Sequence, residues 1–317
     1  MGEAEIVRHE LHSWMLKVIG EPVPEAVKAL ATDLLTRHGS HVTAILMYGS
    51  CLRTGDPYEG LVDLYVLVDD YTKVYSRRWL ALANRLLPPN VFYLEIEHQG
   101  RKVRSKYAVI TQQAFHQGVR HWFHSYLWGR FSQPCRLVYR RDQAVADEVA
   151  RSLVAAARRF IRETVPVLPA CFDTSTLWRT GLVLSYRSEL RAENPEQRAS
   201  HLYRWAANFY QHLTPPLLAS LPYPMKQTSQ GYCLEIPTPI RIVARSRWRL
   251  RQVQGKVLSL LRLIKALFTF QGGVDYVLWK LERHTGQRIE VPAHVYRHPL
   301  IYGWGVLWRL YRQGAFR

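Results

Sequence analysis

The stretch that decides the fold is Val42-Thr43-Ala44-Ile45-Leu46-Met47-Tyr48-Gly49-Ser50, followed by Leu61-Val62-Asp63-Leu64-Tyr65-Val66-Leu67-Val68-Asp69-Asp70. Both segments are short apolar runs bounded by turn residues, the pattern of strands buried on both faces. The first ends in a Gly-Ser turn. The second carries one charged residue, Asp63, among Leu61, Val62, Leu64, Val66, Leu67 and Val68. An unpaired carboxylate among apolar neighbours is costly to bury, so Asp63 calls for a metal or a cationic partner. The plain alternative is a salt-bridged aspartate at a strand edge.

Working outward, Val27, Leu30, Ala31, Leu34 and Leu35 recur at helical spacing and predict a helix over Pro24–His38. Phe92–Glu97 and Val103–Thr111 read as two further strands joined by a hairpin at Gln99-Gly100. Helical patterns follow over Gln112–Gly129, Asp142–Thr164, Thr174–Arg191 and Arg198–Leu213. Pro215-Pro216 and Pro222/Pro224 punctuate the chain, and Pro237/Pro239 open a basic, aromatic region. A helix followed by grouped strands gives an α+β fold. The expected division is residues 1–140, a helical unit at 141–236 that completes the cleft, and a C-terminal region at 237–317.

The chain has 317 residues, and Lys+Arg exceed Asp+Glu by 43 to 25, for a net charge of +18. That excess requires an anionic partner: nucleic acid, an acidic membrane surface or a phosphorylated substrate. Cys51, Cys135, Cys171 and Cys233 lie far apart with no Cys-x-x-Cys pair, so neither a zinc site nor a disulfide framework is expected, and a reducing cytosolic location fits. The N-terminus has no signal-peptide pattern, and no apolar run is long enough to span a bilayer. The expected location is cytoplasmic, peripheral on the inner face of the cell membrane.

The Gly49-Ser50 turn and Asp63 form a layout shared by polymerase-β-type nucleotidyltransferases. Glycine lets the backbone approach a triphosphate, serine and exposed N–H groups donate to phosphate oxygens, and a strand carboxylate holds Mg²⁺ against them. The general pattern has a second carboxylate two residues on, where this chain has Tyr65. Asp69, Asp70, Glu95 or Glu97 could supply it, and Asp69 is preferred because it shares the strand parity of Asp63.

Further stretches resemble the mitochondrial-type phosphatidate cytidylyltransferases, the translocator assembly and maintenance proteins. The resemblance runs through Tyr48-Gly49-Ser50, Asp63 to Val68-Asp69-Asp70, and Lys106-Tyr107-Ala108-Val109-Ile110-Thr111. It continues through Trp122, Tyr126, Gly129, Arg130 and Pro134 at the family's spacing, then Leu184-Ser185-Tyr186 to Arg191, then Gln230-Gly231-Tyr232 with Leu234-Glu235-Ile236. That family also lacks the second carboxylate. Departures are Ala108 for glycine, Arg187-Ser188-Glu189 for Ser-Gly-Asp, and Tyr71–Arg78 in place of a Trp-His segment. The resemblance implies a polymerase-β-type nucleotidyltransferase domain, CTP and phosphatidic acid as substrates, Mg²⁺, and CDP-diacylglycerol and pyrophosphate as products. Asp63 and Lys106 are then the expected catalytic residues. Gly49, Ser50, Arg130 and Arg191 would bind nucleotide, and Asp63 with Asp69 would hold the metal. For Lys106 the alternative is a solvent-facing strand lysine, and for the two arginines it is helix capping.

Arg241, Arg245, Arg247, Arg249, Arg251 and Lys256 precede a stretch, Lys256–Phe270, with Lys256, Ser259, Arg262 and Lys265 on one side and Val257, Leu260, Leu261, Ile264, Leu267 and Phe268 on the other. Taken alone, this helix is expected to pack its apolar side against the protein. The basic cluster and the Trp- and Tyr-rich Pro299–Phe316 suit an anionic membrane surface, each basic residue adding on the order of 1 kcal/mol. The competing readings are a nucleotidyltransferase acting on RNA or another non-lipid acceptor, and a non-catalytic nucleotide- or lipid-binding module. No nucleic-acid partner is expected, because no RNA-binding aromatic motif is present.

Overall fold

A computed structural model describes residues 3–191 and 193–269. Helices α1 (Glu3–Ile19) and α2 (Glu25–His38) lead into β1 (Val42–Tyr48), the short α3 (Ser50–Thr54) and β2 (Val62–Val68). After α4 (Tyr71–Val74) and α5 (Arg78–Leu86) come the hairpin β3 (Asn90–His98) and β4 (Arg101–Thr111), then α6 (Gln112–Arg120), α7 (Trp128–Phe131) and β5 (Arg136–Arg140). The five strands form one sheet in the order β3-β4-β2-β1-β5, with only the β2–β4 pair parallel. The hairpin turn falls at Gln99-Gly100, both at positive φ, as a tight two-residue connection requires.

Residues 143–269 are mainly helical: α8 (Gln143–Thr164), α9 (Thr174–Arg187), α10 (Pro195–Trp205), α11 (Ala207–Ala219) and α12 (Thr238–Thr269), with a small sheet of β6 (Cys171–Phe172), β7 (Met225–Thr228) and β8 (Gly231–Leu234). The fold is α+β. Alternation along the strands separates two cores. Ile45, Met47, Leu64, Val66 and Val109 pack toward α2 and α5, while Leu46, Tyr65, Leu67 and Ala108 face the helical part. The second core is continuous from Leu11 on α1 to Trp248 on α12, so it crosses the expected boundary at residue 140.

Several expectations change here. The helix expected over Gln112–Gly129 is interrupted after Arg120 and resumes at Trp128. The pattern over Arg198–Leu213 is two helices, and Pro215 and Pro216 lie inside α11 rather than ending it. Cys171 and Cys233 face each other across the β6–β8 pair and form a disulfide. Their separation of 62 residues hid a direct cross-strand pair, because proximity across a sheet leaves no trace in spacing.

The largest reversal concerns α12. Its inward stripe is polar: Trp248 donates to the Glu163 carbonyl, Arg251 donates to Glu163, and Arg262 donates to the Pro88 carbonyl. Gly255 sits so close to the Ser188 carbonyl that a Cβ would lie 2.1 Å from that oxygen, so glycine lets α12 touch the end of α9. The apolar side faces outward instead, with Val257, Leu260, Leu261 and Ile264 each about half exposed, at 45–52%. Packing thus follows hydrogen bonds and guanidinium stacking rather than the hydrophobic face. Arg251 is fully buried between Phe123, Trp128 and Trp248. The Pro299–Phe316 segment lies outside the described residues.

Arg251→Ala should remove both the ion pair to Glu163 and the packing of the guanidinium, lowering stability by on the order of 3 kcal/mol in urea denaturation.

Candidate active site

The β1–β2–β4 register sets one row across the sheet: Tyr48 is opposite Asp63, and Asp63 is opposite Lys106. These side chains share the face turned toward the helical part, two residues from Tyr65 and Ala108 in the core. Lys106 Nζ lies 3.2 Å from Asp63 Oδ1, and the Asp63 side chain is 19% exposed. The carboxylate that looked isolated in sequence is therefore paired and still open to a ligand.

Gly49 follows Tyr48 at φ +90° and caps the start of α3. A Cβ there would lie 2.5 Å from Asp63 Oδ2, closer than any real contact. The glycine thus makes room for the protein's own carboxylate and supplies a backbone conformation that side-chain-bearing residues resist. Ser50 begins α3 beside it. The sequence-predicted set Gly49, Ser50, Asp63 and Lys106 is brought together by three adjacent strands.

Arg130 and Arg191 also meet, through Glu189, which in the sequence was only a departure from the family's aspartate. Glu189 Oε2 accepts from Arg130 Nη2 at 3.3 Å and from Arg191 Nη2 at 2.8 Å. Burial pushes the Glu189 carboxyl up, but the two guanidiniums outweigh it and hold it below the usual carboxylate range. Arg130 also donates to the Tyr65 hydroxyl at 3.0 Å, and its guanidinium lies over the rings of Tyr126 at 4.3 Å and Tyr48 at 5.6 Å. Tyr65, standing where the general pattern has a carboxylate, ties the sheet to this arginine. Burial raises the Tyr65 hydroxyl well above its ordinary value. Burial also pushes Tyr126 up, but the charges of Arg130 and Arg262 and the neighbouring Tyr65 hydroxyl outweigh it and hold Tyr126 below its ordinary value. Tyr186 is buried in the second core and Tyr126 packs against it. Each stacks on an arginine, Tyr186 beneath Arg191 at 4.8 Å.

Asp69 does not join Asp63. Six residues of extended chain place the two about 20 Å apart at opposite ends of β2. The Asp69 carboxylate takes Arg141 at 2.8 Å, and strand parity gave its face but not its distance. Asp70 caps α4 by accepting from the Thr72 N–H, and Glu95 is held by Lys102 and Arg104. Among the described residues no group of three His, Cys, Asp or Glu gathers as a metal cage. Asp63 remains as a single hard oxygen donor, which suits a Mg²⁺ carried on substrate phosphates and held by one carboxylate. A cavity of about 640 Å³ bounded by Asp69, Trp122, His124 and Arg262 opens at the Asp69 end of β2, away from Asp63.

The sequence pattern of the family described as phosphatidate cytidylyltransferase, mitochondrial (Tam41/Mmp37), matches residues 70–230, about half of the chain. The chain belongs to that family. The enzyme is a phosphatidate cytidylyltransferase, a nucleotidyltransferase that makes CDP-diacylglycerol in phospholipid synthesis. Lys106, Arg130, Glu189 and Arg191 lie inside the matched segment, whereas Gly49, Ser50 and Asp63 precede it. No curated protein matches the chain. Among solved structures, a nucleotidyltransferase-like protein from Exiguobacterium sibiricum 255-15 is similar at 10% identity and TM-score 0.27, over 92% of this chain and 91% of that one. So loose a superposition supports no inference about the site.

Gly49→Ala would push a methyl group onto the Asp63 carboxylate and strain the positive φ. Its kcat should fall by roughly a hundredfold or more, with a stability loss of about 1–3 kcal/mol measured in the same preparation.

Proposed function

We propose that the enzyme transfers CMP from CTP to phosphatidic acid at the Gly49–Ser50–Asp63–Lys106 row, approaching its lipid from an anionic membrane surface. The observation that carries this is the Asp63 carboxylate, packed under Gly49 and paired with Lys106 in a chain of this family. Ser50 and the backbone N–H groups at the start of α3 would donate to the triphosphate, and Lys106 would balance its charge as a compact ammonium. Asp63 would hold Mg²⁺, which neutralises phosphate charge when bound. The acceptor oxygen of phosphatidate is already ionised, so positioning and charge neutralisation supply most of the rate and no strong general base is needed. Arg130 and Arg191, fixed by Glu189, are placed to bind phosphate with guanidinium forks.

The division into a nucleotidyltransferase unit at 1–140, a helical unit at 141–236 and a membrane-contacting region from 237 fits this scheme. The row lies on the sheet, Arg130 reaches Tyr48 from α7, and Glu189 links Arg191 to Arg130. The outward apolar side of α12, near Arg245, Arg249 and Lys256, supports contact with an anionic bilayer. No helix among the described residues is long and apolar enough to cross a membrane, so the lipid would be reached at the surface.

Purified protein given labelled CTP, Mg²⁺ and phosphatidate vesicles should yield label in the lipid extract, and chelation of the metal should abolish it. Asp63→Ala should lose activity by at least roughly a thousandfold while keeping its fold; undiminished turnover would remove Asp63 from the chemistry. Leu260→Asp with Ile264→Asp should weaken sedimentation with anionic vesicles and leave CTP binding unchanged.

A further inference from the structure

Around Tyr186, cations gather with too few counter-charges, one of them from the helix that follows the Gly49–Ser50 turn. Arg53 lies on α3, one turn after Ser50, so the two residues share a side of that helix. Arg198 reaches in from α10 toward the Tyr186 hydroxyl, while Arg191 lies over the same ring at 4.8 Å. Burial, followed by the charge of Arg198, holds Arg53 below the usual guanidinium range. The opposing carboxylates are few. Glu189 is already shared by Arg130 and Arg191, and Glu193, 61% exposed, stands 3.6 Å from Arg198 Nη1. The Nε–H of Arg198 is buried and donates to nothing among the described residues. A buried guanidinium donor left unpaired beside two other arginines is costly unless an anion completes the set.

We propose that Arg198, with Arg53 and Arg191, forms a polyphosphate subsite that takes the two phosphates of CTP that leave as pyrophosphate. This rests on the reading of Gly49–Ser50 as the triphosphate turn. In the reaction a phosphatidate oxygen forms a bond to the α-phosphorus. The α–β anhydride bond then breaks, its electron pair leaving on the pyrophosphate oxygen. Negative charge therefore accumulates on the leaving group, and guanidinium forks match its oxygens in geometry and sign. Its member Arg53 lies one helical turn from Ser50, which ties the subsite to the nucleotide rather than to the lipid acceptor. It also joins the sheet side, through α3, to the helical side, through α10.

Calorimetric titration of the full chain with pyrophosphate and Mg²⁺ tests this apart from turnover. Arg198→Gln and Arg53→Gln should each weaken pyrophosphate binding by roughly tenfold and raise KM for CTP, with KM for phosphatidate unchanged. Glu193→Gln removes the competing carboxylate and should tighten pyrophosphate binding, a change of sign that misfolding cannot imitate. Pyrophosphate affinity within twofold of wild type in both arginine variants overturns the proposal, as does a rise in KM for phosphatidate alone. A wild-type chain that binds pyrophosphate through Arg198 but makes no CDP-diacylglycerol would refute the functional reading and leave the subsite standing.

Discussion

The site is organised by a carboxylate packed against a glycine that has no room for a side chain. Asp63 occupies the space a Cβ at Gly49 would need, and Gly49 holds a positive φ that turns the chain from β1 into α3. This contact fixes how the start of α3 faces β2, and the register then sets Lys106 opposite the same aspartate. The ion pair at 3.2 Å offsets part of the cost of a carboxylate between two apolar cores, while leaving one side of it open. Because the row depends on three strands in fixed register, it is held by the most buried part of the protein rather than by a loop.

A second polar assembly transmits that order to the helical part. Tyr65 lies at the core of the sheet and receives Arg130, Arg130 shares Glu189 with Arg191, and Arg191 covers Tyr186. In this assembly Arg130, Glu189 and Arg191 each find an opposite charge or an aromatic face, as a low-dielectric setting demands. The tyrosine at the position of a usual second carboxylate therefore has a definite task. The phenol gives Arg130 a neutral acceptor and keeps the arginine beside Tyr48. The departure of Glu189 from the family's aspartate adds one methylene to the side chain that bridges the two arginines.

The behaviour of α12 shows where pattern reading misleads. Its apolar residues recur at helical spacing, which ordinarily marks an inward face. Here Arg251, Gly255, Arg262 and Lys265 make the inward contacts, through a buried ion pair, a backbone approach and donation to carbonyls at the end of α5. A guanidinium flattened among three aromatic rings buries as well as a hydrophobe, so charge in the sequence did not mean exposure in the fold.

What the sequence determined by itself was local. The apolar runs at Val42–Tyr48 and Leu61–Val68, the Gly-Ser turn, the lone Asp63 and the Gln99-Gly100 hairpin are short-range signals, and each appears in the structure within a residue of where the sequence places it. The membership of the family was also legible, because several motifs keep their order along the chain. Tertiary structure decided what spacing does not encode. It separated Asp69 from Asp63 by the length of a strand, joined Cys171 to Cys233 across a sheet, brought Glu189 between two arginines and turned the apolar side of α12 outward. The physical reason is common to all four. A periodicity states which residues share a face, whereas distance and burial depend on which other elements arrive to cover it.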